Sequence, residues 1–146
     1  MMNLFSIVRK KVKMTTKEYL LQVTLLDKKI DANLEMLAIQ KSKLTRVTSK
    51  LDENKVQSSE GVNFDETLAS VIDLETKITK EIDAYINLKA KISSEINAMS
   101  DNTLSLILYK RYVLNKTLSE IAKELNYSYD HVRHLHGQAL MEFRRR

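Results

Sequence analysis

The chain has 146 residues, 29 % of them charged and 43 % hydrophobic, with a formal net charge of +5. That is enough for one domain or two small ones around a modest core. There is no cysteine, which excludes disulfides and thiolate zinc sites and fits a reducing cytoplasm; no proline and only two glycines, Gly61 and Gly137, point to long helices.

Charge is uneven along the chain. Residues 1–14 carry +4, from Arg9, Lys10, Lys11 and Lys13, and residues 101–146 carry +3, whereas the middle is acidic. A basic end suits a polyanion and equally suits a solvated face. Met1–Val8 is apolar, but its charges follow rather than precede it, the reverse of a signal peptide, and it is too short to span a bilayer. Residues 1–14 are expected to be a disordered basic arm. Met14 is a candidate start, because a strong helical pattern begins just after it.

From Tyr19 the inward positions step by four and three: Tyr19, Val23, Leu26, Ile30, Asn33, Leu37, Gln40, Leu44, Val47 and Leu51. This is a heptad seam with polar interruptions at Asn33 and Gln40, which either fix its register or mark where it turns to solvent. Leu20, Leu34 and Ile39 widen it. A helix from Thr16 to about Ser49 is roughly 50 Å long. Residues 52–64 lose the period and contain Gly61, so they read as a loop. The seam resumes at Leu68, Val71, Glu75, Ile78, Ile82, Tyr85, Lys89, Ile92, Ile96 and Met99. Two long helices and one loop read as an antiparallel, coiled-coil-like hairpin over 15–100; the alternative is that one or both seams pair between chains. Leu20, Leu34, Ile39, Leu74, Ile86 and Leu88 lie off the main stripe, and homodimerisation through the hairpin is expected.

Beyond Ser100 the spacing changes. Asp101 or Asn102 caps a helix running to about Leu114, with Leu104, Ile107, Leu108, Tyr112 and Val113 apolar. Thr117 and Glu120 have the spacing of a capping box for a helix over Leu118–Leu125. Asn126 suits a left-handed turn, and Ser128 caps the last helix. Ile121, Ala122 and Leu125 on one helix, and Val132 and Leu135 on the next, have the inward spacing of a helix-turn-helix. Ser128, Tyr129, Asp130, His131, Arg133 and His134 then stand at the start of the second helix, where such a unit meets base edges of double-stranded DNA. Lys110, Arg111, Lys116, Lys123 and Arg144–Arg146 are the candidate phosphate contacts.

The strings T-L-x-E-I-A-K (Thr117–Lys123) and V-R-H-L-H-x-x-A-L-x-x-F-R (Val132–Arg144) resemble region 4 of bacterial sigma factors, over about residues 102–145. The resemblance implies a helix-turn-helix that reads the −35 promoter element, with Asp130, Arg133 and His134 at the base-reading positions and host RNA polymerase as a further partner. His131 and His134 stand where sigma factors typically carry outward Arg and Gln, and no promoter-melting domain precedes them. Over residues 15–145 the chain also resembles small phage and prophage transcriptional regulators akin to the ArpU and RinA late-gene activators.

Other features are bland. His131 and His134 share a face at i, i+3 without a supporting carboxylate or cysteine, so no metal site is expected. Gly137 inside the last helix suggests close packing against another helix. No phosphate loop, nucleophile-base arrangement or cofactor motif is visible, so neither an enzyme nor a cofactor is expected. The expected fold is all-α: arm 1–14, hairpin 15–100 for self-association, and a three-helix DNA-binding domain over 101–146. The expected protein is a cytoplasmic transcriptional regulator of phage genes without a membrane partner. Its rivals are a small-terminase-like packaging subunit, disfavoured because the DNA-binding unit comes last, and a coiled-coil adaptor without DNA contact.

Overall fold

The periodicity resolves into five α-helices and one π-helical turn, with no strand, among the residues that a computed structural model describes: 14–53, side chains of 51–53 excepted, and 64–144. Most of the expected basic arm, the loop around Gly61, the side chain of Leu51 and Arg145–Arg146 lie outside the described residues. In order, the elements are α1 (Thr16–Glu53), α2 (Phe64–Asn97), α3 (Asn102–Leu108), the π-turn (Tyr109–Val113), α4 (Leu118–Leu125) and α5 (Tyr129–Arg144). The architecture is therefore the expected one, a long helical pair followed by a helix-turn-helix region.

The chain divides into two compact units. The first, the hairpin unit, spans Leu26–Asn87. Here the α1 seam faces α2 in antiparallel register. Lys29 (3.2 Å) and Asn33 (2.6 Å) both reach Glu81, and Lys41 reaches Glu75 at 2.7 Å, so numbers rise on one helix as they fall on the other. Asn33 thus stays in the seam, where its amide donates to the Glu81 carboxylate from a half-buried position. Ile30, Val71 and Ile78 form the buried centre.

The second unit joins the described residues up to Leu25 to those from Leu88 on, so the first turns of α1 and the last turns of α2 belong with the C-terminal helices. Thr15 and Glu18 start α1 with a reciprocal capping box, at 3.0 and 3.1 Å. Leu20, Val23, Ile92, Ile96 and Met99 then bury with Leu104, Ile107, Leu108, Tyr112 and Val113. Polar ties reinforce this. The Tyr19 hydroxyl donates to Glu95 at 2.8 Å, Thr24 to Asn115 at 2.7 Å, and Ser105 to the Ile96 carbonyl at 2.9 Å. Burial, and then the Glu95 carboxylate, push the Tyr19 phenol up to about 12.

The helix expected from 102 to 114 is regular only to Leu108. The next five residues, Tyr109–Val113, form the π-turn, closed by Leu114 N–H to the Tyr109 carbonyl at 3.1 Å. The apolar pattern explains it. Ile107 and Leu108 are followed five residues later by Tyr112 and Val113, and five residues rotate an α-helix by roughly 140° past a full turn. A wider turn reduces that offset, and all four side chains are buried. Asn115 (φ 55°) then ends the element in the left-handed region, and Lys116 N–H closes on the Lys110 carbonyl at 3.0 Å.

Candidate nucleic-acid interface

The helix-turn-helix is built from local rules that the sequence states openly. The Thr117 hydroxyl accepts from Glu120 N–H (3.2 Å), and the Glu120 carboxylate accepts from Thr117 N–H (2.7 Å). That backbone hydrogen bond is the main reason the Glu120 carboxyl titrates below the usual carboxylate range. At the other end of the helix Asn126 takes φ 57° and ends α4, and Tyr127 N–H bonds back to the Ala122 carbonyl at 2.9 Å. Ser128 accepts from His131 N–H at 3.2 Å and opens α5. Ile107, Ile121, Ala122 and Val132 make the core between these helices, with Leu118, Leu125 and Leu135 packed against it. Ala122 is buried at the crossing, where a larger side chain would separate α4 from α5.

Burying Val132, His136 and Ala139 fixes the rotation of α5 and sends the opposite face outward. Asp130, Arg133 and His134 lie together on that face, in a shallow open depression continued by Gly137, Gln138 and Met141. The Arg133 guanidinium lies 3.9 Å from the Asp130 carboxylate, with both side chains more than two-thirds exposed. Solvent screens such a pair, so it holds Arg133 only loosely. Tyr129, half-exposed, and His131 flank the depression on either side of the helix. The His131 ring meets Tyr127 edge-on at 5.0 Å, while Ser128 is occupied as the cap. Arg144 continues the outward stripe near the helix end, and Lys123 is exposed on α4.

The other basic candidates are internally engaged. Lys110 (2.5 Å) and Lys116 both hold Glu124, and this pair, Lys110 first, keeps the Glu124 carboxyl below its ordinary range. Arg111 donates to the Lys116 carbonyl at 3.1 Å and lies 5.9 Å from the centre of the Tyr112 ring. These cations tie the π-turn to α4, so of the expected phosphate contacts only Lys123 and Arg144 stand open among the described residues.

One expectation on α5 is corrected, and one histidine lies apart from its neighbours. Gly137 is not packed against a helix: a Cβ there would meet nothing within 4 Å. His136 does not share the surface with His131 and His134. It is buried, its Nε2 lies 2.8 Å from the Tyr112 hydroxyl, and the two rings stack at 5.7 Å. Burial holds His136 below the ordinary histidine value and Tyr112 above the ordinary phenol value. The signal for this was present: 132, 135, 136 and 139 are the i, i+3, i+4 and i+7 positions of one face.

Residues 103–145 match the family model described as Sigma-70, region 4. The C-terminal part of the chain is sigma-region-4-like. The match begins inside α3 and ends at the tail of α5, so it covers both helices of the turn and the outward face of the second. No curated protein and no solved structure shows significant similarity to the chain. Among the described residues, no helix is long and apolar enough to cross a membrane.

Proposed function

We propose that this protein is a sequence-specific, double-stranded DNA-binding regulator of transcription, serving phage or prophage genes and acting as a dimer in the cytoplasm. One observation carries the reading: α5 is rigidly seated by capped turns and a buried inner face, yet presents Asp130, Arg133 and His134 outward, in a segment that matches sigma region 4. An Arg can pair with guanine O6 and N7, and an Asp can accept from cytosine N4. Lys123 and Arg144 supply phosphate contacts that set register without carrying base information. The same likeness supports RNA polymerase as a further partner.

The dimer rests on the hairpin unit. Met36 and Ile39 on α1, and Ile72, Ile82 and Ile86 on α2, are 37–57 % exposed, more apolar surface than two helices cover between themselves.

Selection of random duplex DNA by the full chain tests the reading. A recurring motif is expected, with log affinity falling linearly against log salt at about −0.9 per phosphate neutralised. Enrichment of no motif would contradict it.

A further inference from the structure

Among the described residues, nothing accounts for Gly137. It lies in the middle of α5 with no positive φ, and a Cβ there would meet open space. Mid-helix glycine costs stability relative to alanine, because it fixes a more mobile backbone. Neither conformation nor internal packing offsets that cost. Gly137 instead sits in the outward depression, between Arg133 and His134 on one side and Gln138 and Met141 on the other. A bare backbone on an exposed face is what a closely approaching partner requires.

A second observation points to the same turn. The Gln138 amide lies 3.2 Å from Nε2 of His134, one helical turn back on the same face. The contact holds the amide over the depression and limits the rotamers lost when it meets a ligand. Met141, 60 % exposed, follows on the same stripe.

We infer that the DNA-contacting face extends a full turn beyond the helix start, with Gly137 as the point of closest approach and Gln138 as a base reader oriented by His134. Gln138 has the chemistry to pair with adenine N6 and N7 in the major groove, and Met141 offers an apolar contact to a thymine methyl. The inference rests on the DNA-binding reading and adds residues to it.

The test uses the full chain and the duplex motif it selects. Gly137→Ala is expected to melt at the same or a higher temperature and to bind the motif at least tenfold more weakly, since the new methyl holds the helix off the groove. Unchanged affinity would overturn the inference, and so would weaker binding accompanied by a lower melting temperature, which would make the glycine a folding requirement. Gln138→Leu is expected to lose preference at one base pair while the rest of the motif persists; an identical motif would remove Gln138 from the face. If the parent chain itself selects no motif, the DNA-binding reading fails first. If the parent selects one and both variants match it, only this inference fails.

Discussion

In the unit that joins residues 14–25 to 88–144, large side chains reach complete burial: Tyr112, Leu20, Ile92, Ile96, Ile107, Leu108, Ile121, Val23 and Val132 are all below 2 % exposure. In the hairpin unit the best-buried apolar residues, Ile30, Val71 and Ile78, keep 4–7 %, and a row of isoleucines stays open. Both are helical and both obey a heptad or helical period. The difference is the number of elements around the core. Two helices share one seam and leave their flanks uncovered, whereas five helical segments and a π-turn enclose a centre on all sides. The enclosed unit can hold a recognition helix at a fixed rotation; the open one is suited to meeting another surface.

The comparison is sharpened most by core truncation. Ile107→Ala should cost about 3–4 kcal/mol by chemical denaturation, because its surroundings are too constrained to collapse on the cavity. Ile86→Ala, on the open hairpin face, should change monomer stability by no more than about 0.5 kcal/mol. Similar losses at both sites would break the contrast between the units. The hairpin is tested next by charge: Ile82→Lys with Ile86→Lys should weaken self-association at least tenfold in sedimentation while helicity is kept. A parent chain that sediments as a monomer at all concentrations would contradict the dimer.

Smaller effects probe the turns. Thr117→Ala should cost about 1 kcal/mol through loss of the N-cap. Acidification is graded. His136 is held neutral in the fold, so above its ordinary value both folded and unfolded chains are uncharged there and stability is complete. As pH falls through about 6.5 the unfolded chain takes up the proton first and stability declines, levelling once folded His136 also titrates. Melting temperature measured from pH 8 to 5 should show this decline, and His136→Gln should flatten it.

The sequence stated some of this plainly and concealed the rest for physical reasons. Thr117, Glu120, Asn126 and Ser128 act within a few residues of themselves, so their turn and caps were legible from identity and spacing alone. The first seam was legible because a heptad depends only on period: its positions from Tyr19 to Val47 are buried or half-buried as expected, whereas in the second seam Glu75 and Ile82, expected to face inward, are exposed. The π-turn was hidden because its apolar residues fit a helical stretch until spacing between pairs is weighed against rotation. His136 was hidden by residue type, since an imidazole among other surface histidines looks solvated until Tyr112, 24 positions away, supplies its partner. The engagement of Lys110 and Lys116 by Glu124 is likewise a tertiary fact, and charge counting alone placed those lysines on DNA. The pairing of the first turns of α1 with the C-terminal helices came from contacts more than seventy residues apart.

If α5 reads base edges through its outward face, Arg133→Ala should expose it. Affinity should be measured for the selected duplex and for a scrambled duplex of equal length, at one fixed salt concentration. The ratio of the two affinities should fall by about 5- to 150-fold, corresponding to roughly 1–3 kcal/mol of lost discrimination, with helicity unchanged. Equal weakening on both duplexes would make Arg133 a phosphate contact, and no weakening on either would place the recognition surface elsewhere; both would contradict base reading by α5.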